Sequence, residues 1–567
     1  MRDQKAYLGG LLSGFLADRG IELSAAEAAN LFEKPADAKM GDLALPCFRL
    51  AKSFRMPPPA IASELAERFQ GAEGVEKAEA VNGYLNFFFD SASCIGVVKH
   101  ILADASFGSS DEGNGRVICL DFSSPNIAKR FHLGHLGTTV IGNSLRNIFR
   151  FMGYRTVAIN YLGDWGTQFG KLIYAYLNWS SRERVEAEGI HELERLYVKF
   201  CSDAEQDPEL NQKARDAFHR LEMRDPDYLE IWSYFKEISL REYQKTYALL
   251  GIDFDSYNGE SFYSDKMPAV VEEMREKNLL ELDNGASVVR LDEENMPPCL
   301  ILKSDGSTLY PTRDIAAALW RKQEYGFDKC LYVTSAGQSL HFAQWFRVLE
   351  KMGYGWAKDG LVHVPYGTMS VNGEKLASRT GNVVLLEDLL AEAIRKCEEV
   401  IDQKHADLKD RHDVAEAVGV GAVVFNALAN SRIKDSDFNW EEALSFEGNS
   451  GPYVQYTYAR TSSVLRKSGE EVPMDETYQP IAEETTLVNR LSEFPSVVRR
   501  AMNEYEPSLI SRYLLSVCAL YNQFYHDCRI LNAEENARGF RLCLSAAART
   551  VIGNGLDLLG IRRTEEI

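Results

Sequence analysis

Apolar residues recur along this chain in two rhythms, and the changes of rhythm divide it into regions. Residues 6–17 and 59–70 carry apolar side chains at helical spacing, whereas 80–89 (AVNGYLNFFF) is a run rich in β-forming residues. This mixture predicts a small α/β unit. The stretch 107–115 (FGSSDEGNG) is rich in Gly, Ser and acidic residues, which predicts that it is a linker between this unit and the next.

Beyond this linker, short apolar runs alternate with helical segments. The run 117–122 (VICLDF) predicts a strand, and 134–151 has apolar positions at the three- and four-residue steps of a helix. Further strand candidates stand at 156–161, 330–333 and 361–364. Such alternation predicts a parallel sheet, and ligands of parallel sheets bind beyond the carboxyl ends of the strands.

The remaining patterns are helical. Between about 172 and 247, charged residues at helical spacing predict an insertion into the α/β region. From Val414 onward no segment resembles a strand, and apolar positions such as Leu514 and Val517 keep helical spacing. A charged connector at 404–411 precedes this part, which we expect to be an all-α bundle.

The predicted organisation is therefore a Rossmann-like parallel-sheet domain with a helical insertion, between a small α/β unit and a helical bundle. The predicted boundaries are 1–112 for the first unit, 113–405 for the sheet domain and 406–567 for the bundle. A chain of 567 residues is too long for one hydrophobic core, in keeping with several domains.

Composition narrows the class of protein without deciding its function. With 45% apolar and 26% charged residues the chain is an ordinary globular protein, and it lacks the run of roughly 18 apolar residues that spans a membrane. Its amphipathic start lacks the features of a signal peptide. Ten cysteines are scattered without a CxxC pair, which predicts reduced thiols in a cytoplasmic protein.

The net charge of −20 argues only weakly against a nucleic-acid partner, because an RNA footprint is a local basic patch.

The segment His132-Leu133-Gly134-His135 stands directly after a predicted strand and at the start of a predicted helix. Free N–H groups at a helix start favour phosphate, two imidazoles add donors, and Gly134 leaves room for a nucleotide against the backbone. The arrangement suits stabilisation of charge during attack on the α-phosphate of ATP. Two other interpretations are a metal-binding pair, for which no third zinc-type ligand is near in sequence, and two histidines that only cap the helix.

The residues around this tetrad resemble the signature of class I arginyl-tRNA synthetases, in which the HxGH element binds ATP. The resemblance covers essentially the whole chain, from the amino-terminal unit to the last residues. It rests on matching blocks in the family's order: residues 121–129 (DFSSPNIAK), 132–143 (HLGHLGTTVIGN), 163–170 (GDWGTQFG), 309–316 (LYPTRDIA), Gln338 three residues before His341, and 555–561 (GLDLLGI).

The resemblance implies a pocket for arginine. A guanidinium is a planar charged fork that needs carboxylates to accept its N–H donors, and the family match supplies Asp121 and Asp314. Tyr310 precedes Asp314 by four residues and could face the same pocket. The match assigns Asn126 and Gln338 to the substrate's amino or carboxylate end and adds Ser124 to the residues that bind arginine.

The phosphate side departs from the usual pattern of class I synthetases. Their second lysine of the KMSKS loop is replaced here by Ser378, in the stretch from Lys375 to Arg379. In the family a lysine just upstream of HxGH takes over that role, and Lys129 holds this position. We therefore expect Lys375, Ser378 and Arg379 at the ATP, with Lys129, His132, Gly134 and His135.

Three other positions depart from the family pattern: Arg130 replaces a common Pro, Gly137 a common Arg, and Asp121 a common Glu.

The resemblance implies an arginine–tRNA ligase that uses ATP and Mg²⁺ and has tRNA and L-arginine as partners. It also implies a monomer that binds no membrane and holds no resident metal ion. Aromatic and arginine residues in the last region suit unstacked bases of an anticodon loop, although more than half of these rings are expected in the core. The candidates are Tyr453, Tyr456, Tyr458, Arg460, Arg466, Tyr521, Phe524, Tyr525 and Arg529. The alternatives are another class I synthetase and a paralogue that binds tRNA or arginine without charging.

Overall fold

The computed structural model describes residues 4–33, 35, 40–371, 374–375, 384–404, 408, 410–469 and 473–567. The amino-terminal unit packs helices on an antiparallel sheet of order β1-β3-β2. Its elements are α1 (Gln4–Ala17), α2 (Ala25–Ala29), β1 (Leu43–Pro46), α3 (Ala51–Phe54), α4 (Pro58–Phe69), β2 (Val75–Val81) and β3 (Tyr84–Phe89). The two helices predicted at 6–17 and 59–70 are confirmed as α1 and α4.

The β-rich run at 80–89 is not one strand but parts of two. Asn82 (φ 50°) and Gly83 (φ 84°) form a turn with left-handed backbone between β2 and β3, which pair antiparallel. An Asn-Gly pair is the residue choice that such a hairpin turn requires, so the signal was present in the sequence.

The central region is built on a parallel sheet of order β10-β9-β4-β5, as predicted. Its strands are β4 (Val117–Asp121), β5 (Arg155–Ile159), β9 (Lys329–Ser335) and β10 (Leu361–Tyr366). Helix α6 (Leu136–Phe151) returns from β4 to β5, and its buried face includes Val140, Leu145 and Ile148. The carboxyl ends of β4 and β9 therefore open on one side, where the candidate residues gather.

The predicted helical insertion follows β5. It consists of α7 (Thr167–Trp179), α8 (Arg182–Glu188), α9 (Ile190–Gln206), α10 (Glu209–Glu222) and α11 (Pro226–Leu249), around a hydrophobic core of its own. A segment that the sequence pattern did not resolve comes next: α12 (Glu260–Tyr263), α13 (Met267–Glu276) and an antiparallel sheet of β6 (Glu281–Asp283), β7 (Ala286–Val289) and β8 (Cys299–Leu302). Helices α14 (Tyr310–Tyr325), α15 (Ser339–Lys351) and α16 (Ala357–Gly360) complete the region.

The last region is a helical bundle, as predicted. Short strands β11 (Met369–Val371) and β12 (Glu374–Lys375) lead into α17 (Leu386–Lys404), α18 (Arg411–Ala429), β13 (Ser436–Phe438), α19 (Trp440–Ala443), α20 (Gly451–Ser468), α21 (Ala482–Ser492), α22 (Phe494–Glu504), α23 (Ser508–Asp527) and α24 (Glu535–Leu559). The expectation of no strand beyond Val414 is wrong at β13, which pairs parallel with β11. Three residues are too few to give a periodic signal.

In the described part of the chain, α18 and α24 are long and apolar enough to cross a membrane, but 61% and 72% of their apolar windows are buried inside the protein. Packing in the bundle accounts for their composition. All ten cysteines lie in the described ranges, are free of disulfides and are mostly buried, as expected of structural thiols.

The amino-terminal and carboxyl-terminal parts of the chain meet. Helix α5 (Ser91–Ala103) buries Val98 and Ile101 in the same core as α24, and Asn554 of α24 donates to the backbone oxygen of Ala105 at 3.0 Å. The predicted linker at 107–115 has no regular structure, yet it lies against the body of the protein: a Cβ on Gly108 would come within 2.5 Å of the Phe494 ring.

Candidate functional site

The loop that leaves β4 has a strained backbone. Ser123 (φ 69°), Ser124 (φ 47°) and Ala128 (φ 63°) are left-handed although none is glycine, a conformation that costs on the order of 1–3 kcal/mol per residue. Local hydrogen bonds hold it: the Ser123 N–H donates to Thr138 Oγ1 at 3.0 Å, and the Ser124 hydroxyl donates to Asp121 Oδ1 at 2.9 Å. Strain of this kind persists only where the surroundings over-determine the geometry, as at a binding site.

The HLGH tetrad forms a tight turn at the mouth of α6. The backbone N–H of Gly134 donates to His132 Nδ1 at 3.1 Å, and the N–H of His132 donates to His135 Nδ1 at 3.2 Å. Burial lowers the pKa of His132 and lowers that of His135 to about 3, so both rings are neutral at pH 7. Because each Nδ1 accepts a hydrogen bond, the proton of each ring is on Nε2, which is therefore a donor.

A local steric contact also favours glycine at position 134. A Cβ at this position would come within 2.8 Å of the His132 ring, so a side chain would displace that imidazole. The sequence alone predicts only that Gly134 leaves room for a nucleotide against the backbone.

Lys129 and Arg130 lie against the insertion. Lys129 Nζ is 5.4 Å from the centre of the Tyr197 ring on α9, and Arg130 Nε pairs with Glu194 Oε2 of the same helix at 2.5 Å. The departure at Arg130 thus supplies an ion pair to the insertion. Gly137 faces Tyr366, whose ring atoms a Cβ would approach to 3.1 Å, so a side chain at this position would require a small shift of that ring.

Of the second ATP segment, the structure describes the backbone of Lys375, in β12. Ser378 and Arg379 lie outside the described residues.

The two carboxylates expected to meet a guanidinium both have partners within the chain. Asp121 Oδ2 lies 2.8 Å from Arg321 Nη1, with both side chains buried. Asp314 Oδ2 lies 2.6 Å from His341 Nε2. Burial raises the pKa of the Asp121 carboxyl, Arg321 opposes this shift, and Asp314 is close enough to raise the pKa further.

The other expected arginine contacts lie on three different segments. Tyr310 begins α14, one turn before Asp314, and is 66% exposed, so its ring is available to a ligand. Gln338 is exposed in the turn before α15. Asn126 packs on Gly163, since a Cβ there would lie 1.9 Å from Asn126 Oδ1. The side chain of Asn126, in the block at 121–129, therefore lies directly against the backbone of Gly163, in the block at 163–170.

Sequence reasoning missed a set of charged residues behind this pocket. Arg313 pairs with Glu260 at 2.9 Å, and burial raises the pKa of the Glu260 carboxyl to about 7, with Arg313 opposing. Asp164, fully buried, accepts from Lys236 at 2.7 Å and from the Ser261 hydroxyl at 2.9 Å. Asp164 stands in the quoted GDWGTQFG block, so a signal for it existed. Glu260 and Arg321 lie in no quoted block.

A groove of about 1170 Å³ extends from Tyr310 along the insertion. Basic side chains line it together with three carboxylates and several aromatic rings. The basic residues are Arg215, Arg224, Lys236, Lys266, Lys303 and Arg313, and the aromatic ones are Trp165, Phe218, Trp232, Phe262 and Tyr310. Cations mixed with flat rings suit a single-stranded nucleic acid.

The aromatic residues of the bundle divide into two groups. Tyr458, Tyr521 and Phe524 are core residues with 2% exposure or less. Tyr456 and Tyr525 instead flank the Arg460 guanidinium at 4.9 and 5.0 Å, in adjoining cavities of about 420 and 780 Å³.

Comparison with known proteins gives one consistent result. Residues 11–89 match the family "Arginyl tRNA synthetase N terminal domain", 97–440 match "tRNA synthetases class I (R), catalytic domain", and 454–567 match "DALR anticodon binding domain". The chain is 46% identical to an arginine–tRNA ligase of Halothermothrix orenii over 100% of both chains. It is 49% identical to one of Clostridium botulinum (strain Okra) over 95% of this chain and 96% of the relative.

Solved structures agree in fold. The arginyl-tRNA synthetase of Thermus thermophilus superimposes with a TM-score of 0.82 at 25% identity, covering 99% of each chain. The arginyl-tRNA synthetase of Plasmodium falciparum superimposes with a TM-score of 0.81 at 23% identity, covering 100% of each chain.

Proposed function

The chain belongs to the class I arginyl-tRNA synthetases and is an arginine–tRNA ligase, and from that premise we propose how its residues carry out the two reactions. In the first, a carboxylate oxygen of arginine attacks the α-phosphorus of MgATP and pyrophosphate leaves with its bonding electrons, which yields arginyl-adenylate. In the second, a hydroxyl of the tRNA's 3′-terminal ribose attacks the arginyl carbonyl and AMP leaves. Mg²⁺ enters with the nucleotide as part of the substrate.

His132 and His135 stabilise the phosphate charge that develops in the first reaction. Their neutral Nε2–H groups are donors fixed in place before substrate arrives, because both rings are anchored through Nδ1. This pair of anchored donors beside the carboxylate pocket is the observation that carries the proposal. Lys129 supplies a cation next to them, and the family resemblance adds Lys375, Ser378 and Arg379 to the residues that contact ATP.

Selection of arginine falls to Asp314, Asp121 and Tyr310. The guanidinium replaces His341 as the partner of Asp314, whereas Asp121 keeps Arg321 and contributes its remaining acceptor capacity. Lysine would leave part of these acceptors unpaired, at about 1–3 kcal/mol for each. Ser124, Asn126 and Gln338 hold the amino and carboxylate end.

For tRNA we propose two contact regions. The groove beside Tyr310 receives the single-stranded 3′ end, because it is lined by Tyr310, one of the proposed arginine contacts, and by cations and aromatic rings. The cavity bordered by Tyr456, Arg460 and Tyr525 receives an unstacked base of the anticodon loop. We further propose a cytoplasmic monomer with domains at 1–112, 113–405 and 406–567.

The test is ATP–pyrophosphate exchange with arginine, measured with and without tRNA. We expect exchange with arginine when tRNA is present and none with lysine. Folded protein that supports no exchange would contradict the proposal and favour a paralogue that binds without charging.

A second measurement addresses the tetrad itself. His135→Ala is expected to slow exchange by roughly 100-fold or more, through loss of a transition-state donor. The matched control is His412→Ala, which removes an exposed histidine paired with Glu398 on the bundle. Equal rates for the two variants would remove the phosphate role from His135.

A further inference from the structure

One face of helix α11 contacts both the strained loop that leaves β4 and the segment that follows β5. Trp232, Lys236, Ser239, Tyr243 and Tyr247 are spaced by four, three, four and four residues, which places them on one side of a helix. Each donates or accepts a hydrogen bond with a segment of the site, although α11 belongs to the insertion and not to the sheet.

The carboxyl-terminal half of α11 holds the loop directly. Ser239 Oγ accepts from the N–H of Ala128, one of the left-handed residues, at 2.8 Å. The Tyr247 hydroxyl lies 2.8 Å from Ser123 Oγ, beside another left-handed residue, and accepts from Asn160 Nδ2 at 2.9 Å. Two of the three left-handed residues of this loop, Ser123 and Ala128, thus have partners on this helix.

Tyr243 makes the contact with the most direct chemical consequence. Its hydroxyl lies 2.8 Å from the backbone oxygen of Asn126 and 2.7 Å from that of Lys129. These two residues are the ones assigned to the amino-acid end and to the phosphates, so one hydroxyl fixes the separation between the two halves of the reaction. The side chain is fully buried against Phe131.

We propose that α11 is a positioning element for arginine activation, with Tyr243 and Ser239 setting the loop geometry that brings the arginine carboxylate in line with the α-phosphorus. This rests on the proposed roles of Asn126 and Lys129. Loss of a positioning contact misaligns two bound substrates, so it lowers the rate of the chemical step more than the affinity for either substrate.

The other half of α11 faces the groove. Trp232 Nε1 donates to the Asp164 backbone oxygen at 2.8 Å and Lys236 Nζ bonds to its carboxylate, while both side chains also line the groove. A single-stranded nucleic acid in the groove therefore contacts the same helix whose other end holds the loop.

The test is Tyr243→Phe, which keeps the buried ring and removes only the hydroxyl. We expect kcat for arginine-dependent exchange, with saturating tRNA, to fall by roughly 10-fold or more, and the KM values for arginine and ATP each to change by less than about threefold. The matched control is Tyr234→Phe on the same helix, whose hydroxyl faces the Arg182 backbone oxygen within the insertion. It is expected to match the unmodified enzyme.

A second pair of variants separates positioning from folding. Ser239→Ala leaves the Ala128 N–H without its acceptor and should reproduce the loss of kcat, while Ser239→Thr retains a hydroxyl and should restore most of it. Unchanged kcat in Tyr243→Phe, a rise in KM alone, or a loss of rate that only follows a loss of folded protein would each overturn the proposal. If the unmodified protein supports no exchange, the proposed function fails as well; if it does, these outcomes bear on α11 alone.

Discussion

Asp121, the carboxylate at the end of β4, is held by Arg321 of α14 across a 2.8 Å ion pair, and both side chains are buried. The guanidinium of Arg321 lies over three tyrosine rings, those of Tyr161, Tyr263 and Tyr332, at 5.0 to 5.8 Å. The chain thus encloses one of its own arginines beside the pocket that we propose for free arginine. Arg321 opposes the rise in the pKa of Asp121 that burial causes.

Arg321→Met should weaken arginine binding. Without the neighbouring cation, burial raises the pKa of Asp121 further, and a protonated carboxyl attracts a guanidinium less. We expect KM for arginine to rise about 10-fold or more at pH 7, and to recover partly as the pH increases and Asp121 ionises. The control is Arg146→Met, a buried arginine that pairs with Asp253 instead. An unchanged KM for arginine in Arg321→Met would contradict this role.

Gly163→Ala should disturb the amino-acid end of the pocket. The added Cβ would stand 1.9 Å from Asn126 Oδ1, so the Asn126 side chain must move. We expect KM for arginine to rise by roughly 5-fold or more, because a misplaced contact loses its hydrogen bond, with KM for ATP less affected. Gly355→Ala serves as control, since nothing lies within 4 Å of its Cβ position. Equal kinetics of the two alanine variants would show that Asn126 is not held there.

Glu260 makes stability depend on pH. The pKa of the Glu260 carboxyl is about 7 in the folded protein and 4.5 ordinarily. Between pH 4.5 and pH 7 the folded protein therefore keeps a proton that the unfolded chain has released. The contribution of this group to stability is therefore present below about pH 4.5 and is lost as the pH rises through 7.

Glu260→Gln should remove this dependence. Between pH 5 and pH 8, the unfolding free energy of the unmodified protein should fall relative to that of Glu260→Gln by about 2–3 kcal/mol. Urea denaturation at several pH values measures the difference, with the exposed Glu276→Gln as control. Parallel pH curves for the unmodified protein and Glu260→Gln would exclude a raised pKa at this site.

Tyr525→Ala should weaken tRNA binding without affecting the small substrates. Stacking of a base on an aromatic ring contributes about 1–3 kcal/mol, so KM for tRNA should rise by roughly 5-fold or more. Tyr521→Phe, on the same helix but in the core, should leave KM for tRNA unchanged. A rise of KM for arginine as large as that for tRNA would indicate general damage and not a base contact.

The sequence predicted those parts of the fold and site that depend on neighbours along the chain. Strands β4 and β9 have short apolar runs, and the residues from Asp121 to His135 touch one another because they form one strand-to-helix connection. The partners Arg321 and His341 lie 200 and 27 positions from their carboxylates. Such pairs arise from the packing of α14 and α15 on the sheet, which no local pattern encodes.

Helical spacing in the sequence does not distinguish the core aromatic residues of the bundle from the exposed ones, whereas their exposure in the structure does. Tyr521 and Tyr525 are four residues apart on α23 and have the same helical phase in the sequence. Tyr521 is fully buried, whereas Tyr525, in the last turn of α23, is 43% exposed.

The burial of α5 against α24 constrains how the protein can be made. Ala105 and its partner Asn554 are 449 positions apart, and a ribosome adding about 5–20 residues per second needs roughly 20–90 s to cover that distance. During that time Val98 and Ile101 lack the partners that α24 supplies. We therefore expect the nascent chain to leave the α24-facing side of α5 uncovered until α24 has been synthesised.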